Sequence, residues 1–164
     1  MSTLSPSKTL FLLVHDVARL LRRTVDQRAQ TIGLTSAQWR ILSAVARAEL
    51  LNHEPLNQAA LAEQMDMEPI TLSRHIDRMQ AAGMIERRPN PGDRRAYFLY
   101  VTEESKPLLR SFGALSADCI AGALAGISED EVRLVTDILS RMRTNIVAKP
   151  GSGTDTKVEQ ERVA

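Results

Sequence analysis

Six arginines fall between Pro69 and Tyr100: Arg74, Arg78, Arg87, Arg88, Arg94 and Arg95. Three acids, Asp77, Glu86 and Asp93, stand against them, so this segment carries +3 while the whole chain carries only +1. Arginine, rather than lysine, supplies the charge. Its planar fork suits paired contacts to phosphate, to a guanine edge and to narrow minor grooves. Pro69, Ile70, Thr71, Ser73 and Arg74 open the same segment. Arg74 can offer two parallel donors to guanine, the hydroxyls of Thr71 and Ser73 can serve bases or phosphates, and Ile70 or the Thr71 methyl can touch a thymine methyl. The chemistry in view is recognition of a polyanion and its base edges.

The elements that must position these groups are legible in the spacing. Asn57 is a plausible N-cap for a short helix over Gln58–Met65, and Asp66-Met67 makes a turn. Pro69 suits the first position of a second helix, which runs to about Ala82 and stops at Gly83. Its apolar face is Leu72, Ile76 and Met79. Met84–Arg87 and Tyr97–Val101 are rich in strand formers and should pair as a hairpin whose tip holds the Arg-Arg-Pro-Asn-Pro-Gly-Asp-Arg-Arg run. The Pro-Asn-Pro-Gly turn is stiff enough to hold an arginine outward, and Asp93 should brace the loop by pairing with a nearby arginine. Helix, turn, helix and basic wing is an order with a use on duplex DNA. The second helix enters the major groove with its N-terminal residues at the bases.

Around this lobe the periodicity predicts four further helices. Leu10, Leu13, Val14, Val17, Leu20, Leu21 and Val25 form a stripe over about Thr9–Thr31, closed by Gly33. Thr35 and Gln38 form a capping box before a helix with Trp39, Ile41, Leu42 and Val45. Leu51–Pro55 reads as a loop. Thr102 should cap a helix that holds Leu108, Phe112, Leu115, Cys119 and Leu124, and Ser128 with Glu131 caps a last one with Val135, Ile138, Leu139, Met142 and Ile146. The fold class expected is mainly α with a small β-hairpin wing, an α+β winged helix-turn-helix lobe plus a helical dimerisation region. The expected division is a flexible N-terminus over 1–8, dimerisation helices over 9–33 and 103–148, a DNA-binding lobe over 34–102 and a disordered tail over 149–164. The two terminal helix patterns are too apolar for so small a core to cover, which calls for a second copy.

Bulk properties set the limits. Hydrophobic residues make up 43% of the 164 and aromatics 4%, so aliphatic side chains must fill the core, which favours helices. The single cysteine, Cys119, cannot form an internal disulfide and suits a reducing cytoplasm. Residues Met1–Leu13 lack the order of a signal peptide, and no run approaches the ~20 apolar residues that span a bilayer. No glycine-rich nucleotide loop, Gly-x-Ser-x-Gly, HExxH or CxxC is present, so no catalytic residue, cofactor or metal ligand set is expected. Taken alone, the polar face of the second helix is equally a solvated surface, and the hairpin could be a salt-bridged one. The two together with the arginines favour DNA.

The runs Leu61-Ala62-Glu63, Ile70-Thr71-Leu72-Ser73-Arg74, Gly83–Arg88 and Gly92-Asp93-Arg94-Arg95-Ala96, closing on Val101-Thr102-Glu103, resemble the MarR family of bacterial winged-helix regulators. Leu34–Trp39 resembles its SlyA-like branch. The resemblance covers roughly residues 10 to 147, with the Asp-Arg-Arg wing its most specific part. It implies an obligate homodimer with interlocked terminal helices, a palindromic operator, and a recognition helix around Ile70–Arg78, with Arg88 of the wing tip a further DNA-contacting candidate. It places Arg94, with Arg95, at the minor groove. It also implies a repressor released by a small aromatic or phenolic ligand, with Arg19, Thr35, Trp39 and Arg74 at the pocket positions. If Arg74 serves both base and ligand, binding one would withdraw the other. Trp39 as core and Arg19 in a surface ion pair is the competing reading. Cys119 as a redox sensor, or a winged helix that binds only protein, are alternatives. A buried structural thiol fits the apolar stripe around Cys119 better.

Overall fold

The computed structural model describes residues 4–52, 55–90 and 92–148, and their side chains except at 51–52 and 93–95. The first of two compact units covers Met1–Ala123. It opens with helix α1 (Pro6–Gln30), which begins at a proline and so takes Pro6–Lys8 out of the expected flexible lead-in. Gly33 follows in the left-handed region at φ 79°, where a glycine costs least. Helix α2 (Ser36–Arg47) starts at the expected capping box. The Gln38 N–H donates to Thr35 Oγ1 at 3.3 Å and the Thr35 N–H to Gln38 Oε1 at 2.9 Å.

Beyond α2, the segment read as a loop is partly ordered. A π-helical turn covers Ala48–Asn52, positions 53–54 lie outside the described residues, and a two-residue strand β1 (Leu56–Asn57) follows. Helices α3 (Gln58–Gln64) and α4 (Pro69–Ala81) form the helix-turn-helix. Asn57 caps α3, its Oδ1 accepting from the Ala60 N–H at 2.8 Å. Asp66 turns the chain at φ 49°, a conformation that aspartate tolerates better than most residues.

The wing is longer than its sequence suggests. Strand β2 (Ile85–Asn90) reaches to Asn90 and β3 (Asp93–Val101) starts at Asp93, so Arg87 and Arg88 lie in β2 and not at the tip. The Asn90 side chain accepts the Gly92 N–H at 2.8 Å, which closes the turn. The sheet order is β1-β3-β2, antiparallel throughout, with Leu56 opposite Leu99 and Ile85 opposite Val101. Glu49, in the π turn, accepts the Val101 N–H at 2.9 Å and satisfies a donor on β3. Thr102 caps a short 3-10 turn, Glu103–Ser105, and helix α5 (Lys106–Ala123) starts after it.

The core is aliphatic, as the composition demands. Leu34, Ile41, Leu42, Val45, Leu61, Leu72, Ile76, Met79, Ile85 and Leu99 are almost wholly buried. Phe112 joins them from α5. Leu72, Ile76 and Met79 point α4 inward, which turns its other faces to solvent. The second unit, Leu124–Ala164, contains helix α6 (Glu129–Val147), opened by the Ser128–Glu131 capping box. The expected tail over 149–164 lies outside the described residues. No helix among the described residues is long and apolar enough to cross a membrane.

Candidate nucleic-acid interface

Helix α4 presents the groups that its sequence promised. Its N-terminal N–H groups have no side-chain cap, which leaves donors available to an anion. Pro69, Ile70, Thr71, Arg74 and Arg78 are exposed and Ser73 is half-buried. Ile70 is 70% exposed, unusual for a branched apolar side chain next to a packed core. Thr71, Arg74, Asp77 and Arg78 line an open groove of about 470 Å³. The Arg74 guanidinium makes no hydrogen bond or ion pair among the described residues, while Arg78 donates to the Arg74 carbonyl at 3.2 Å and lies 3.2 Å from His75 Nδ1. Burial, and then the charge of Arg78, hold the His75 imidazole below its ordinary pKa. His75 is therefore mostly neutral at pH 7 and adds little to the positive face.

The wing arginines divide. Arg87 is turned inward, its side chain 19% exposed and paired with Asp77 at 2.7 Å. Arg87 contributes to the +3 of the segment, but its burial and its ion pair withdraw it from the exposed positive face. Arg88 is exposed but engaged: it pairs with Glu86, and its guanidinium carbon lies 4.3 Å from the centre of the Tyr100 ring. That cation–π contact holds the group over the sheet. The backbone of Asp93, Arg94 and Arg95 belongs to β3, but their side chains, and with them the expected bracing by Asp93, lie outside the described part of the structure.

The four residues placed at an effector pocket do not line one common cavity among the described residues. Arg19 pairs with Asp16 one turn back on α1 at 3.0 Å, with both side chains more than half exposed. Thr35 is occupied as the cap of α2. The Trp39 indole N–H donates to Asp26 Oδ1 at 2.7 Å, and its ring stacks on Phe112 at 5.2 Å between centroids. Arg74 lines the small groove on α4. A larger groove of about 880 Å³ runs between α3, the α3–α4 turn and β3. Among the described residues Glu63, Asp66 and Glu68 line it and no arginine or lysine does. Because Thr35 acts as a cap, Thr35→Ala should lower stability by about 1 kcal/mol. Urea unfolding measures this, and an unchanged midpoint would remove the cap as its role.

Cys119 is buried on α5, as expected of a structural thiol. No group of three or more His, Cys, Asp or Glu suited to a metal occurs among the described residues.

Residues 32–96 match the model of the MarR family. Solved structures are similar over most of the chain. The transcriptional regulator PA3341 is 28% identical with a TM-score of 0.74, covering 84% of this chain and 97% of its own. The transcriptional regulator SlyA is 25% identical with a TM-score of 0.68, covering 84% and 93%. A Cys-to-Ser mutant of MarR from E. coli, complexed with operator DNA, is 21% identical with a TM-score of 0.66, covering 82% and 93%.

Proposed function

We propose that this chain, whose residues 32–96 match the MarR family model and whose fold is similar to that of solved transcriptional regulators, is a MarR-like homodimeric, sequence-specific repressor of transcription acting in the cytoplasm. The observation that carries this reading is α4: a buried apolar face, an uncapped N-terminus, and Ile70, Thr71 and Arg74 exposed together at that end. Pro69, Ile70, Thr71, Ser73 and Arg74 read the major groove. Arg78 and Arg88 reach phosphates, Arg94 with Arg95 takes the minor groove, and Asp93 braces the wing. The operator-bound relative, similar in fold, supports this assignment of elements. Residues 34–102 form the DNA-binding lobe, and 9–33 with 103–148 supply the contacts to a second copy. Two such lobes meet half-sites about 10 bp apart on a palindrome.

Selection of bound duplexes from a random pool, followed by anisotropy titration, tests the reading. Arg74→Ala should cost about 1–3 kcal/mol on the selected site and relax the base preference at one position. Equal binding of every site by wild type and variant would show that α4 is not the reading helix.

The repressor is released by a small aromatic or phenolic carboxylate. Arg74 supports this part, because it is exposed and its guanidinium is unengaged among the described residues. A carboxylate held there takes away the contact that the base needs. Arg19 is a second anchor if it leaves Asp16. Thr35 and Trp39, with their internal partners, shape the region and do not offer it donors. Titrating salicylate-like acids into the protein–DNA complex distinguishes release from mere binding.

A further inference from the structure

Arg87 sits on β2 opposite Leu99, yet its side chain serves three elements at once. Nη1 donates to Gln80 Oε1 at 2.8 Å, and Nη2 donates to Asp77 Oδ1 at 2.7 Å and to Gln58 Oε1 at 3.3 Å. Asp77 and Gln80 lie one turn apart near the end of α4, while Gln58 is the first residue of α3. One guanidinium therefore ties the wing to both helices of the helix-turn-helix. A planar fork with fixed donor directions can do this, whereas a lysine ammonium on a single point of attachment cannot hold the same three acceptors in one geometry. The pair is only partly open to solvent, 19% for Arg87 against 60% for Asp77. Its charge is met by Asp77 and so adds little to the field over the DNA face.

We propose that Arg87 is a positioning residue that fixes the recognition helix against the wing, and does not contact phosphate. The inference rests on the reading of α4 and the wing as the two DNA-contacting parts. For both to engage one duplex, the angle between them must be set before binding, since misplacement lowers affinity for the correct site most. Asp77 is the other half of the device, and Gln80 and Gln58 are minor arms.

The test compares wild type, Arg87→Met, Arg87→Lys, Asp77→Asn and Arg87→Met/Asp77→Asn on the selected duplex and a scrambled one across a salt series. The expected result for Arg87→Met is a roughly tenfold or greater loss on the selected duplex, with little change on the scrambled one. The slope of log affinity against log salt should stay as in wild type, because a lost phosphate contact would reduce it by about 0.9. Asp77→Asn should lower the same ratio, and the double variant should be no worse than Arg87→Met alone, since the two act as one unit. Arg87→Lys should not restore specificity. Equal loss on both duplexes with a slope reduced by about one would overturn the proposal in favour of a phosphate contact. Hydrogen exchange on the DNA-free protein gives a second reading that holds even if no duplex is selected. In Arg87→Met, amides of β2 and the last turn of α4 should exchange faster while those of α5 do not. Unchanged exchange there would also overturn the brace. Should Arg87→Met fail to fold, Gln80→Ala removes one arm and should show the same exchange pattern at smaller amplitude. Absence of that pattern counts against the proposal. Failure of wild type to prefer any duplex would instead refute the DNA reading.

Discussion

Replacing Phe112 by alanine should cost about 3–5 kcal/mol of stability and lower the melting temperature by roughly 10 °C or more. The ring is 5% exposed and lies nearly parallel to that of Trp39, 22° apart, so the substitution removes both buried area and a stacked partner. The consequence reaches further than the core, because the Trp39 indole is hydrogen-bonded to Asp26. Three helices meet through these side chains: α1 with Asp26, α2 with Trp39 and α5 with Phe112. Trp39 is the only tryptophan, so its fluorescence reports the packing directly during urea unfolding. A loss below about 1 kcal/mol would mean that the stack is not part of the cooperative core.

The second large effect is on assembly. Leu10, Leu13, Val14, Val17 and Leu20 are between 37% and 56% exposed along α1, and their three- and four-residue spacing sets them in one stripe. Leu134, Val135, Ile138 and Leu139 are likewise exposed on α6. Apolar stripes of this length call for a partner face, and in the proposed homodimer a second copy of the chain would supply it by twofold symmetry. Leu13→Glu with Val17→Glu should therefore convert a particle of twice 18.2 kDa into one of 18.2 kDa in light scattering. Affinity for a two-half-site duplex should fall by about two orders of magnitude or more, since each lobe then binds alone. Unchanged mass in the double variant would place the seam elsewhere, and a monomeric wild type would refute dimerisation itself.

Much of the fold is local, and for that reason legible in the sequence. Helix periodicity, the capping boxes at Thr35 and Ser128, the Asn57 cap, Pro69 at the head of α4 and glycines at the left-handed positions 33 and 83 act over a few residues. Each is a hydrogen bond or a dihedral preference that the neighbours alone satisfy. Strand β1 escaped this reading because two residues carry no alternation. Leu56 and Asn57 are a strand only because Leu99 and Phe98 pair with them. The wing strands ran past their apolar cores for the same reason, their outer residues being held by the ladder and not by propensity.

The candidate site divides along the same line. Sequence alone determined that arginines and hydroxyls would gather on α4 and the hairpin, since spacing fixes which residues share a helix face. It could not tell Arg87 from Arg88, adjacent residues of one type. Strand alternation sends them to opposite faces, and the acceptors on α3 and α4 that take up Arg87 stand up to 29 residues away. Nor could it give Trp39 its internal partners, because Asp26 and Phe112 reach it only once α1, α2 and α5 have packed. Which groups carry charge was settled by the order of residues; which of those charges face outward was decided by tertiary packing, where a partner within about 3 Å outweighs any local preference.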